Sequence, residues 1–555
     1  MLSRKESYAA TLAAFQWTSP MHYNIGVDVC DRWAEAEPDR VALIEVDDNG
    51  YGQAQEITYG QLRAASNRFA NVLAAQGLGG DGKTAGDRVA ILLPQRRETA
   101  IAHIAAHKTG CISLPLFTLF GPDALLHRLR DSGARVLVTD HASLPLIASI
   151  RDQLPALETV FTVDGPAGGA LDFDAACAAA SDSFTPVDSL AEAPAILIYT
   201  SGTTGNPKGA LHAHRVLPGH LPGVEMSHDF LPQEGDRIWT PADWAWIGGL
   251  LDVLLPALHH GVPVVACRFR KFTACAAADL IRRFGVRNAF LPPTALKMMK
   301  ADPESLSWGL RMRSVASGGE PLGTQLLEWG QQALGVTINE FYGQTECNMV
   351  ISSCSALAPP VNGVIGWPVP GHRVDVIDEA TGARLPEGQE GSIAILAPDP
   401  VMFLGYWQQP VATAAKFVHS AEGRWLLTGD RGERCADGRV RFKGRNDDII
   451  STGGYRVGPA EIEDCLISHP AIAMAGVVGQ PDPLRGEIVA AFVTLRAGFA
   501  PSDALRDEIA AHVRTRLAAY EYPRAIYFTE DLPVTTTGKI IRNDLRKRLT
   551  EGFQP

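Results

Sequence analysis

The sequence predicts a layered α/β fold with parallel strands, joined to a separate small α+β unit towards the C-terminus. Three observations carry that prediction. Short apolar runs alternate with amphipathic helical stretches through the first part of the chain, the pattern of strands that return through helices. The chain has 555 residues and is 46% hydrophobic, enough for several buried cores. After about residue 440 the texture changes, and a dense charge cluster with a glycine pair precedes a fresh set of apolar runs.

The elements follow in order. In "TYGQLRAASNRFANVLAAQGL", Thr58 and Gln61 stand in capping-box spacing, apolar residues recur at Leu62, Phe69 and Leu73, and Gly77 closes the pattern, which predicts one amphipathic helix. "DRVAILLP", "CISLPLF" and "ARVLVTD" read as strands and "PDALLHRLRDSG" as a helix. In such folds, ligands bind at loops on the carboxyl ends of the strands. The alanine-rich stretch 170–182 reads as a surface excursion, and no internal repeat is present. Further on, Asp437-Gly438 sets a hairpin-like turn, and a linker with a domain boundary falls at 445–448. Beyond it, "AIAMAGVVG" and "EIVAAFVTL" read as strands, and Leu505, Ile509, Val513 and Leu517 mark one face of a helix.

A formal net charge of -12 argues against a nucleic-acid protein held by a general positive field. The nine cysteines are odd in number and scattered, with no CxxC pair, so neither a zinc cluster nor a disulfide framework is indicated and a reducing cytoplasm fits best. The first twenty residues lack the apolar core of a secretory signal, and no run of about 18 uncharged apolar residues follows, so no membrane insertion is expected.

The most informative stretch is "YTSGTTGNPKGA", residues 199–210, directly after an apolar run. Backbone N–H groups and hydroxyls on a glycine-rich loop suit a phosphate, and a lysine adds a point charge. A Walker loop needs GxxxxGK followed by Ser or Thr, whereas here Pro207 precedes Lys208 and Gly209 follows it. Proline fixes its own φ and biases Asn206 toward extended backbone, so Lys208 is expected on a stiffened loop instead of a first helical turn.

This loop resembles the phosphate-loop signature of the AMP-forming adenylating enzymes, the superfamily of acyl-CoA synthetases, nonribosomal-peptide adenylation domains and beetle luciferases. "NEFYGQTE" (339–346), "WLLTGD" (425–430), "FKGRNDDIISTGGYRVGPAEIE" (442–463) and "LPVTTTGKIIR" (532–542) match that superfamily in the same order, and the wording is closest to its medium-chain acyl-CoA synthetase branch. The resemblance implies a large N-terminal adenylation domain over 1–446, with layered parallel sheets and a small β-barrel, and a small mobile α+β domain over 447–555. It implies a reaction in which a carboxylic acid and ATP give acyl-AMP and pyrophosphate, after which CoA displaces AMP.

On that resemblance, Thr200, Ser201, Gly202, Thr203, Thr204, Gly205 and Lys208 cover the β- and γ-phosphates, and Thr203 and Glu346 surround Mg²⁺, a hard ion that seeks oxygen ligands. Tyr342 offers a ring face to adenine within the nucleotide-facing stretch Glu340, Gly343 and Gln344, while Thr345 bonds the α-phosphate or the acyl carboxylate. Asp430 accepts the ribose hydroxyls and Arg445 reaches the same sugar. Lys539 bridges carboxylate and α-phosphate during adenylation, and Asp447 is the hinge about which its domain turns. Gly453, Gly454, Tyr455 and Arg456 then form the pantetheine passage, with Arg485, Arg514, Tyr522 and Arg524 as contacts for CoA or substrate.

Acetyl-specific relatives carry a tryptophan immediately before "QTE", where this chain has Gly343, so acetate is expected to be a poor substrate beside a medium-chain, branched or aromatic acid. Trp246, with Trp244 as its alternative, and Gly318 are the other acyl-pocket residues. Two further readings stand beside this one: an adenylating enzyme that loads a carrier protein's phosphopantetheine, and a nucleotide-binding regulator that has lost catalysis. The retained Lys208, Glu346, Asp430, Arg445 and Lys539 speak against the second. Homodimers are common among such relatives.

Overall fold

The computed structural model describes residues 2–550 apart from 19, 48–49, 201–206, 321, 446–447, 449, 453–454, 483–485, 518–520 and 536–537. The chain divides into two compact units. One comprises 1–361, 365–373 and 395–417, and the other 362–364, 374–394 and 418–555.

The larger unit carries two sheets. One runs in the order Gly405–Tyr406, Lys208–Ala213, Pro194–Thr200, Ile112–Pro115, Arg88–Leu92, Val136–Thr139, Thr159–Thr162 and Leu171–Asp172. Its strands from Pro194–Thr200 onward are parallel and the two before them antiparallel. Its central strands are buried throughout, which is why they read as continuous Val, Ile and Leu runs instead of alternating ones. The second sheet aligns Ile338–Gln344, Ser314–Gly318, Asn288–Phe290, Ile238–Trp239, Val264–Cys267 and Val41–Val46 in parallel, with Asn348–Ser352 antiparallel at one flank.

Local chemistry sets the helix ends. In the helix Tyr59–Ala75 the Thr58 side chain accepts from the Gln61 amide, and the Gln61 side chain accepts from the Thr58 amide, satisfying two N-terminal donors reciprocally. Gly133, in left-handed conformation, ends Pro122–Ser132. The alanine-rich stretch is mostly exposed, as a surface excursion would be, and within it a short helix forms, Phe173–Ala179, capped by Asp172. Phe173 is buried against Phe69, at 4.6 Å between ring centroids, so one aromatic anchor outweighs the small residues around it.

In the second unit, Gly423–Arg434 and Val440–Arg445 pair antiparallel across a turn with Gly438 at positive φ, as Asp437-Gly438 predicts. A further sheet joins Tyr455–Val457, Ile450–Thr452, Gly486–Leu495 and Ile472–Asp482, and Ala525–Phe528 adds in parallel to Gly486–Leu495. Helix Asp503–Arg516 buries Leu505, Ile509 and Val513 in the core of this unit, each contributing about 1.5–3 kcal/mol.

Candidate active site

The strand Pro194–Thr200 does not lead into a helix. Thr200 pairs with Lys208, and Lys208–Ala213 returns antiparallel along the strand just left, so the lysine is held at a strand start. A Walker lysine would sit at the head of a helix. Just before it, the Pro207 carbonyl lies 2.9 Å from His127 Nε2. Ser201, Gly202, Thr203, Thr204 and Gly205 lie outside the described residues.

Tyr406 joins the two functional groups of this region. It pairs with Ala210 on the strand that Lys208 begins, and the Lys208 ammonium lies 5.3 Å from its ring centroid. Its hydroxyl donates to Glu346 Oε1. Burial, then the Glu346 charge, push the phenol well above its ordinary range, so it remains a donor. Glu346 sits with Thr345 at the tip of the hairpin between Ile338–Gln344 and Asn348–Ser352. The Cys347 amide donates to the Gln344 carbonyl at 3.0 Å to close the turn, and Asn348 takes positive φ to leave it. Lys416 Nζ donates to Gln344 Oε1 at 3.3 Å, placing a second cation beside the tip.

Along the strand that leads into this tip, Tyr342 is partly exposed, and Glu340 Oε1 accepts from the Leu322 amide at 3.4 Å. Gly343 is required by the main chain: a Cβ there would lie 1.6 Å from the Asn348 carbonyl oxygen. Glycine at this position therefore has a cause separate from pocket depth. Gly318 has a different neighbour, since its Cβ would lie 2.5 Å from the Phe341 ring. Phe341 contacts Phe290 at 5.3 Å between centroids, and Phe290 contacts Trp246 at 5.5 Å. Trp246 is partly exposed, whereas Trp244 is 1% exposed in the core, so of the two tryptophans Trp246 belongs to this aromatic wall.

In the second unit, Asp430 and Arg445 are directly opposed across the antiparallel pair, and Asp430 is buried. Gly429, at positive φ, turns the chain just before it, and the Asp430 amide donates to Thr428 Oγ1 at 3.1 Å. Lys539 is exposed on a tight loop closed by the Val534–Ile540 bridge, where the Thr535 amide donates to the Lys539 carbonyl at 2.7 Å. Arg542, three residues on, donates to Asp448 at 3.1 Å and Glu463 at 2.7 Å, and Arg546 adds 2.8 Å to Asp448. The lysine loop is thereby braced to the residue next to Asp447. Arg514 and Arg524 stand 5.5 and 4.9 Å from the Tyr522 ring, and Tyr522 and Arg524 line an open cleft of about 470 Å³. Asp447, Gly453, Gly454 and Arg485 lie outside the described residues, as do the side chains of Tyr455 and Arg456.

Sequence reasoning missed Tyr406, Lys416, Asp448 and Arg542 as site-supporting groups. Tyr406 and Lys416 carry no local signal, being far in sequence from the residues they bond. Arg542 lies inside a quoted motif, and its spacing from Lys539 was the available hint. Among the described residues no disulfide forms, no group of three or more His, Cys, Asp or Glu is placed to hold a metal, and no helix is long and apolar enough to cross a membrane.

The structure thus holds a lysine at a strand start, a carboxylate at a hairpin tip and, in the second unit, an Asp/Arg pair opposed across two strands, residues that the sequence resemblance assigns to an AMP-forming ligase. Family comparison agrees: the AMP-binding enzyme profile matches residues 30–407, and the AMP-binding enzyme C-terminal domain profile matches 461–539. The chain belongs to the AMP-binding enzyme family, in its acyl-CoA synthetase group of AMP-forming ligases. It is 34% identical to the acetyl-coenzyme A synthetase of Bacillus subtilis, covering 98% of this chain and 95% of that protein. It is 32% identical to the mitochondrial acyl-coenzyme A synthetase ACSM3 of Mus musculus, covering 98% and 93%. Among solved structures, an anthranilate CoA ligase, AuaEII, in complex with anthranoyl-AMP superposes with a TM-score of 0.84 at 30% identity, covering 96% of this chain and 98% of that one.

Proposed function

We propose that this chain activates a carboxylic acid larger than acetate with ATP and passes the acyl group to CoA. The observation that carries the reading is Tyr406, with the Lys208 cation over its ring and the Glu346 carboxylate on its hydroxyl. This arrangement fixes one cation, at a strand start, and one anion, at a hairpin tip, about a single ring, and a polyphosphate needs such charge offset and orientation. Lys208 neutralises phosphate oxygens, and Thr345 donates to the α-phosphate or the acyl carboxylate. Glu346 is a hard oxygen donor whose carboxylate takes one hydrogen bond among the described residues, from Tyr406, which leaves acceptor sites, so it fits as the residue that would hold Mg²⁺. The ion supplies neutralisation of the polyphosphate when bound.

Asp430 and Arg445 hold the ribose and Tyr342 the adenine. Residues 447–555 act as the mobile domain, turning at Asp447. Lys539 enters for adenylation and withdraws for thioester formation, when Gly453, Gly454, Tyr455 and Arg456 line the pantetheine passage. Arg485, Arg514, Tyr522 and Arg524 take the remainder of CoA, and the cleft between Tyr522 and Arg524 supports that assignment. All nine cysteines outside disulfides fit a cytoplasmic enzyme.

The test separates the half-reactions. Lys539→Ala should abolish pyrophosphate exchange with any active acid yet keep much of the conversion of supplied acyl-AMP and CoA to thioester. Equal loss of both would overturn the alternating-domain account.

A further inference from the structure

The aromatic wall ends on a buried polar pair. Trp246 Cζ3, Phe290 Cε1 and Asp252 Oδ2 converge within 3.1 Å of the point where a Gly248 Cβ would stand. Gly248 and Asp252 lie four residues apart on one helical stretch, so the carboxylate leans back over the glycine. His220 Nε2 lies 2.7 Å from Asp252 Oδ1, and His220 Nδ1 faces the Met349 amide at 3.5 Å. Because Nδ1 meets a donor, Nε2 carries the proton and donates to Asp252. Met349 belongs to the strand that leaves the Glu346 turn, so the pair sits directly behind the reaction hairpin.

The second carboxylate oxygen, Oδ2, has no hydrogen-bond partner among the described residues, although Asp252 is only 7% exposed. The nearby pair His260–Glu225 shows the contrast. Its side chains are 2% and 1% exposed, whereas the Asp252 side chain keeps 10% exposure, and its Oδ2 shares one point of approach with the rings of Trp246 and Phe290. A carboxylate oxygen amid rings, without a donor, is costly to leave unpaired. A hydrocarbon occupant would leave it so, and an occupant with an N–H or O–H would satisfy it.

We infer that Asp252, oriented by His220, reads a hydrogen-bond donor on the acid, and that the substrate is an aromatic acid bearing an amino or hydroxyl group. This rests on the acyl-CoA synthetase reading. The flat ring stacks on Trp246, Phe290 and Phe341, and the donor meets Oδ2. A site built to bond such a group rejects its methyl isostere strongly, because the isostere strands the buried acceptor.

The experiment compares kcat/KM of the full-length enzyme for amino-, hydroxy- and methyl-substituted benzoates at each ring position, with acetate and octanoate alongside, followed by AMP release with ATP, Mg²⁺ and CoA. At one position, the amino or hydroxy acid should exceed its methyl isostere about ten-fold or more. In Asp252→Leu that ratio should fall to one or invert, and Asp252→Asn, which keeps an acceptor and the shape, should fall between. Methyl isosteres equal or better at every position in the wild-type enzyme would overturn the inference, whatever the variants do. Turnover of octanoate with none of any benzoate would sink it while leaving the synthetase reading standing. Absence of AMP release and of pyrophosphate exchange with every acid would sink both.

Discussion

Asp430 and Arg445 face each other across one antiparallel strand pair, with the aspartate buried and the arginine exposed. The pairing register puts a hydrogen-bond acceptor and a cation on neighbouring strands from motifs fifteen residues apart in sequence. Asp430→Ala should raise KM for ATP about ten- to hundred-fold, the cost of hydrogen bonds to a charged acceptor, with KM for the acid little moved. Steady-state kinetics at saturating acid reads this, and an unchanged KM for ATP would remove Asp430 from the nucleotide site.

Gly343 yields a prediction about stability before one about specificity. A Cβ 1.6 Å from the Asn348 carbonyl cannot be absorbed by a rotamer change, because the obstacle is main chain. Gly343→Ala should shift the hairpin that presents Thr345 and Glu346 and cost about 1–3 kcal/mol or more, seen as a lowered thermal midpoint together with lost AMP release. Gly318→Ala meets the side chain of Phe341 at its nearest approach and not main chain, so its melt should move less while its acid preference changes. Equal melts for Gly343→Ala and the wild-type chain would show that the two strands can separate at no cost.

Much of this was legible in the sequence, and the unread part has a common physical reason. Thr58 and Gln61, Gly133 and Asp437-Gly438 act through neighbours a few residues away, so spacing alone places them. The glycine-rich loop and "NEFYGQTE" announce Lys208 and Glu346 by residue type. Tyr406, which joins them, bonds a residue 60 positions distant, and Asp252 meets His220 across 32, so neither leaves a periodic trace. Phe173 was hidden differently: alanine-rich surroundings masked a single anchor. Trp244 and Trp246 could not be separated by pattern, because alternation places both on one face and only packing distinguishes the sealed from the open ring.

Arg542 bridges Asp448 and Glu463, with its side chain 20% exposed and theirs 9% and 12%. Glu463 Oε1 also accepts from the Val477 amide, so the helix, the sheet and the lysine loop share one carboxylate. Removing the guanidinium takes one cation from each of two largely buried carboxylates, with Arg546 still on Asp448, a loss of about 3 kcal/mol, at the low end for a buried pair because the second cation and some solvent remain. Arg542→Ala should therefore lower the thermal midpoint and slow pyrophosphate exchange, and Arg542→Lys should rescue only partly, since an ammonium lacks the planar fork that holds Glu463 through two nitrogens and Asp448 through the third. Exchange at the wild-type rate in Arg542→Ala would show that the Lys539 loop keeps its place without this brace.

Acid sensitivity follows from four buried histidines. Burial pushes His103, His212, His214 and His228 from the ordinary 6.5 down to about 3. The folded chain keeps them neutral while the unfolded chain protonates them below about 6.5, so between these values the unfolded state binds more protons and stability falls as pH falls. Each fully engaged histidine subtracts about 1.4 kcal/mol per pH unit in that window, and nothing above it. His103 is the clearest probe, since neither ring nitrogen has a hydrogen-bond partner among the described residues. Denaturant midpoints measured from pH 7.5 down to 5 should fall steadily below about 6.5, and His103→Leu should flatten that slope. A slope unchanged by the substitution would mean that His103 binds its proton in both states, or in neither, over this range.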